Sequence, residues 1–366
     1  MARLRVVLGL AALLLTVGAA CAPQPPATSS PAAGPPAGPT EVPAAGSVAP
    51  PTGAAAVTAP TRLVVRHANT SLSTTHAPYW IAEDAGYFAE EGLDYQVSYI
   101  QGSSVAIQSL IAGEVDTLSI SGSTTVQAAA SGADALIVAM NVGTVTLHLV
   151  SVPDIRAPEQ LRGQPVGITR FGTIGDVAIR LLLRRWGMEA GADVPLVQVG
   201  GQAEAVAAMQ SGAARAVMTA DLQATQLEQQ GYHELFDAAD LGLEYPGHTT
   251  TTSRRFADAH PEVIRRFLRA LARGMGRFVN DEDYSLAVMQ KRTGIDSPAV
   301  LKKSWELHTQ RYIQRSLLVT PEAIRSVLQE LAGDERVQAA DPTSFYDNHW
   351  VQELHDSGFM AQVYAR

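Results

Sequence analysis

The chain has almost no cysteine. Cys21 is the only one in 366 residues, so no disulfide forms within the chain and a packed core must supply the stability. It has no cluster of Lys and Arg either. The formal net charge is −9, and an acidic chain without a basic patch is a poor partner for nucleic acid. The charge does not exclude an anionic small ligand, because local donors decide that. Beyond the first twenty residues no stretch approaches the ~18 uninterrupted apolar residues of a membrane span. Enzyme signatures are missing as well: there is no G-x-x-x-x-G-K phosphate loop, no H-E-x-x-H, no C-x-x-C and no G-x-S-x-G. The nine His residues are scattered without metal-ligand spacing. Neither a metal nor a cofactor is expected.

What is present begins with a secretion signal over residues 1–20. Arg3 and Arg5 give the positive start, and Val6–Val17 is an apolar segment too short to span a bilayer. Gly18, Ala19 and Ala20 then precede Cys21. Small residues before a lone Cys resemble a bacterial lipobox, whose Cys becomes a lipidated N-terminus. Gly18 stands where that pattern usually has Leu, Val or Ile. The alternative is ordinary cleavage after Ala20 with a bystander thiol. Residues 22–60 hold eleven Pro, a single charge at Glu41 and no aromatic residue. Such a segment cannot bury enough surface to offset its ordering entropy, so residues 21–60 read as a lipidated Cys and a disordered tether. A lipid with a long tether predicts an exported body held near a membrane.

The body starts at Thr61 and states one pattern twice. Glu90–Ser121 and Glu189–Asp221 align at a constant offset of 99, which places Glu90 on Glu189, Gly92 on Gly191, Asp94 on Asp193, Gly102 on Gly201 and Gly113 on Gly212. Each copy reads as strand, small polar turn, helix, glycine C-cap and second strand. Two such β-α-β units predict two similar α/β lobes, with residues 61–150 opening lobe one and 151–249 forming lobe two. The segment His248–Ser253 reads as a polar return. From Ala257 the chain is helical, and residues 250–366 are expected to pack back on lobe one. A helix is expected near Pro78, and another from Pro321 with Thr320 as its N-cap.

In open α/β sheets, ligands sit beyond the carboxyl ends of the strands, where helix N-termini offer unpaired N–H groups. Five strand-to-helix loops qualify: Ser73–His76, Gly102–Ser104, Ser121–Thr124, Arg170–Thr173 and Thr219–Asp221. Simple N-capping explains each of them singly; their shared position on two lobes favours ligand binding. Arg170 offers a fork of donors to an anion or makes a surface salt bridge. His76 donates to a ligand or caps a helix. Trp80 stacks on a ligand ring or packs in the core, and Phe171 is a cleft wall or a buried anchor.

The stretches His76–Gln96 (HAPYWIAEDAGYFAEEGLDYQ), Ala112–Ser123, Leu161–Thr173 and Ser344–Leu354 resemble the nitrate/sulfonate/taurine-binding, SsuA/THI5-like family of ABC-importer binding proteins. The resemblance spans roughly Leu63–Leu354. It implies a type II periplasmic-binding-protein fold, α/β, with two lobes joined by a two-segment hinge. Its crossings would lie near His148–Pro153 and Tyr245–Thr252. It implies ligand contacts from Thr75, His76, Ser121, Gly122, Ser123, Arg170, Phe171, Gly172 and Thr173. Trp80, Thr219 and Thr251 join them as candidates. It also implies a monomer that hands a small solute to permease subunits with their ATPase. The runner-up is a pyrimidine-precursor enzyme of the same fold. The cysteine-rich motif of those synthases is absent after Cys21, which leaves a binding role as the expectation.

Overall fold

The doubled pattern folds as two five-stranded sheets. The computed structural model describes residues 62–365, apart from Gly172, residues 332–336 and Gln338. The signal segment, Cys21 and the tether therefore lie outside the described residues, as does Gly172.

Lobe one contains β1 (Leu63–Asn69), β2 (Leu93–Tyr99), β3 (Thr117–Ile120), β4 (Leu136–Val142) and β10 (His248–Thr252), in the order β2-β1-β3-β10-β4. Lobe two contains β5 (Leu147–Ser151), β6 (Val166–Ile168), β7 (Leu196–Gln198), β8 (Ala216–Ala220) and β9 (His233–Asp237), in the order β7-β6-β8-β5-β9. The two orders are equivalent. In each order, the second strand (β1 or β6) is parallel to both its neighbours, and the fourth strand (β10 or β5) is antiparallel to both its neighbours.

The helices repeat too. Lobe one has α1 (Ala77–Asp84), α2 (Tyr87–Glu90), α3 (Ser103–Ala112) and α4 (Gly122–Ala130); lobe two has α5 (Ile174–Arg185), α6 (Gln202–Gln210) and α7 (Asp221–Gln229). The starts and the ends of α4 and α7 differ by the same 99 residues as the sequence repeat. Gly113 and Gly212 end α3 and α6 at φ 76° and 78°, a conformation that costs glycine little because it lacks a Cβ.

Two sequence readings change. The first crossing lies at residues 143–146, because His148 and its neighbours already form β5 of lobe two. The second lies before His248, and His248–Thr252 is no polar return but a central strand, buried at all five residues. Threonine suits a strand through its β-branching, and here each hydroxyl finds a partner. Thr249 donates to the Ile120 carbonyl (3.1 Å), Thr250 pairs with the Tyr79 hydroxyl (2.8 Å), Thr251 with Thr125 (2.8 Å), and Thr252 donates to the Asp116 carbonyl (2.7 Å).

The C-terminal part is helical: α8 (Arg254–Ala259), α9 (Pro261–Asn280), α10 (Glu282–Thr293), α11 (Pro298–Leu307), a π turn (His308–Tyr312), α12 (Pro321–Glu330), α13 (His349–Asp356) and α14 (Phe359–Tyr364). Thr320 caps α12, its Oγ1 accepting from the Ala323 N–H at 3.2 Å. Helix α9 buries Phe267, Leu268 and Leu271 against lobe one, and Ile324 and Val327 of α12 join a core that runs from Val126 and Ile137 of lobe one into lobe two. The C-terminal part thus packs on both lobes. Among the described residues no helix is long and apolar enough to cross a membrane.

Candidate interlobe site

The loop after β1 is built around one ring. His76 is fully buried in a 3-10 turn (Thr74–His76) that leads into α1. Its Nδ1 lies among Ser71 Oγ (3.3 Å), Ser73 Oγ (3.3 Å) and Thr75 Oγ1 (3.2 Å). Its Nε2 lies 3.3 Å from the Thr70 N–H and 3.4 Å from the Ser119 carbonyl. Burial pushes His76 down to about 4, so at neutral pH it offers one donor and one acceptor but no charge. His248 meets it edge-on, with centroids 4.4 Å apart, and holds Ser119 Oγ at 2.7 Å. Burial, helped by the rings of His76, His308 and His67, keeps His248 well below the usual histidine range.

At the start of α4, Ser121 Oγ and Ser123 Oγ are 2.9 Å apart. The Gly122 N–H donates to the Pro246 carbonyl at 2.9 Å, and a Cβ at Gly122 would stand 2.5 Å from Pro246 Cβ. Gly122 therefore fixes α4 against the second crossing, and its amide is already paired. Trp80 is 2 % exposed and packs with Ile81, Phe278, Met289 and Leu301, as a core residue does. Thr251 is buried between β10 and α4, and Thr219 is buried at the end of β8, opposite His148. In lobe two, Arg170 and Phe171 are exposed after β6; Thr173 Oγ1 donates to the Arg170 carbonyl at 2.7 Å.

One residue that brings the lobes together ends the last of the five candidate loops, in which only Thr219 was singled out. Asp221 opens α7 and is 2 % exposed. Its carboxylate accepts from Ser304 Oγ, which also lies 2.6 Å from Thr74 Oγ1 in the loop of lobe one. His308 Nδ1 is 3.6 Å from the same carboxylate. Nearby, the Tyr312 hydroxyl donates to Asp237 (2.8 Å) and lies 3.2 Å from His148 Nε2. Burial alone would lower His148, but Glu234, 3.2 Å from its Nδ1, and Asp237 raise it. The signal for Asp221 was present: the repeat places it on Gly122, the start of the equivalent helix. Ser304, His308 and Tyr312 recur every four residues, a polar stripe on one helix face.

The site is thus made of hydroxyls, neutral imidazoles and helix starts, with Arg170 on an exposed loop. Among the described residues no group of three or more His, Cys, Asp and Glu is set to hold a metal ion. This arrangement suits hydrogen bonding to a small polar molecule. A family profile described as NMT1/THI5 like matches residues 73–284, more than half of the chain. The chain belongs to this family. It is 25% identical to YtlA of Bacillus subtilis (strain 168) over 223 residues, 60% of this chain and 67% of that one. Its fold is similar to that of the alkanesulfonate-binding protein SsuA from Xanthomonas axonopodis pv. citri, with a TM-score of 0.64 at 18% identity, covering 79% of this chain and 100% of that one. It is also similar to that of the periplasmic nitrate-binding protein NrtA from Synechocystis PCC 6803, with a TM-score of 0.65 at 16% identity, covering 82% and 90%. These likenesses establish the two-lobed periplasmic-binding-protein fold that the family resemblance implies.

Proposed function

We propose that the chain is the solute-binding protein of an ABC importer, which captures a small polar or anionic organic solute between its lobes and delivers it to the permease and its ATPase. The observation that carries this is the meeting of two equivalent strand-to-helix edges at one polar contact, where Thr74 of lobe one and Asp221 of lobe two share Ser304. Family membership and neighbours that are sulfonate- and nitrate-binding proteins support the same reading. The solute is of sulfonate, nitrate, taurine or pyrimidine type. Thr75, His76, Ser121, Ser123, Arg170 and Thr173 supply its hydrogen bonds. Cys21 carries the lipid, and the tether keeps an exported, monomeric body at the membrane.

Binding works by closure. A solute that touches both lobes favours the closed state by its difference in affinity for the two states. Small-angle scattering with and without a solute found by thermal-shift screening tests this. The expected result is a smaller radius of gyration with solute; an unchanged radius with a tightly bound solute overturns closure. The solute leaves unaltered, so mass spectrometry that finds it converted to a product would turn the reading toward an enzyme.

A further inference from the structure

Two crossings are what the fold requires, and the chain makes a third. Helix α11 touches both lobes. Leu301 packs with Trp80, Ile81 and Met289 of the first lobe's helical layer. Other side chains of α11 and of the π turn reach lobe two: Ser304 donates to Asp221, Lys303 pairs with Glu228, and Arg311 and Tyr312 both reach Asp237 (2.6 and 2.8 Å). The π turn makes the last two coincide. Its i→i+5 bond, from the Ile313 N–H to the His308 carbonyl at 2.9 Å, adds a residue to the turn and brings neighbours 311 and 312 onto one carboxylate. The chain then returns to lobe one. The Gln314 N–H donates to the Asn141 carbonyl (2.9 Å), and the Gly143 N–H to the Tyr312 carbonyl (3.3 Å).

We propose that residues 304–314 are a latch across the lobes, which holds them together before any solute arrives. The acids it grips, Asp221 and Asp237, are 2 % and 4 % exposed. A buried carboxylate is tolerated only with its donors in place, so the contact is made as a unit or not at all. Through Ser304 the latch also touches Thr74, next to Thr75 and His76. Solute capture and lobe contact are therefore coupled through one serine hydroxyl. This rests on the reading that the lobes close on a solute, but the latch itself is a property of the solute-free chain.

Pulsed electron–electron distance measurements on the full chain test it. Nitroxide labels go on Val105→Cys in lobe one and Gln210→Cys in lobe two, both exposed, with Cys21→Ser removing the native thiol. Without solute, the otherwise native chain should give one latched distance, which a solute shortens further. Asp221→Asn should add a longer one, raising the unlatched-to-latched ratio about ten-fold, as for removal of the charge from a charge-assisted hydrogen bond. Ser304→Ala and Thr74→Val should add it to a lesser degree. If Asp221→Asn does not fold, those two variants decide. Unchanged distances in variants that melt cooperatively overturn the latch, and so does a native chain that already shows both distances. Variants that open while no solute closes the native chain further would sink the closure reading and leave the latch. Closure by a solute with unchanged variants would do the reverse.

Discussion

Glu330 shows how much one side chain's surroundings matter. Burial raises its carboxyl to about 7, although the Tyr245 hydroxyl, 3.1 Å away, pulls the other way. The folded carboxyl keeps its proton to about pH 7, whereas the unfolded one loses it near 4.5. Its contribution to stability is therefore complete below pH 4.5 and is lost as the pH rises through 7. Glu330→Gln cannot ionise and keeps an acceptor for Tyr245. It should melt higher than the parent at pH 8, by about 1–3 kcal/mol, and close to the parent at pH 4.5. Equal differences at both pH values would show that the carboxyl is not neutral in the fold. Arg170 belongs to the same scale. Exposed on the first loop of lobe two, it should contribute at least ~1 kcal/mol to the binding of an anionic solute. Calorimetry of Arg170→Ala with the anionic solute found by screening checks this, and unchanged affinity removes the residue from the site.

At the scale of elements, the hinge rests on how closely two crossings approach. A Cβ at Gly247 would stand 2.1 Å from the Thr144 carbonyl oxygen, which is backbone and cannot rotate away. A Cβ at Gly143, on the facing crossing, would meet nothing nearer than 3.6 Å. Gly247→Ala should therefore destabilise by about 1–3 kcal/mol through overpacking, and Gly143→Ala by much less. Urea unfolding of the pair reads the difference directly; equal midpoints would mean that the crossings can part without strain. The element missed in the sequence was β10. Its run HTTTT is polar by composition, and the hydropathy of a single segment does not say that every hydroxyl will be paired. Those partners come from β3, α4 and α1, more than a hundred residues away.

For the whole molecule, the buried histidines set the response to acid. His67 and His76 are pushed down to about 3 and 4 by burial, and burial lowers His248 and His308 as well. Each is neutral in the fold and takes up a proton near 6.5 when unfolded. The stability they give is complete above pH 6.5 and falls as the pH drops toward 4, by roughly 1.4 kcal/mol per pH unit for each fully buried ring. His148, Glu330 and Glu83, all raised, act in the opposite sense. Four lowered groups, each a fully buried ring, outweigh these three, so the melting temperature should fall between pH 7 and pH 5. A flat or rising profile would show that the rings reach water.

The sequence by itself determined the doubled β-α-β plan, the spacing of its helices and the glycine caps that end them. These follow from local periodicity and from φ angles that only glycine adopts cheaply. It also placed Thr75, His76, Ser121 and Arg170 on strand-to-helix loops, since those loops belong to the same local grammar. Only the tertiary structure decided where the chain changes sheets, that Trp80 and Thr251 are interior, and that Asp221 meets Thr74 over Ser304. Those partners lie 83 and 230 residues from Ser304. A contact between residues so far apart leaves no mark on local pattern; it exists only once α11 has been laid across both lobes.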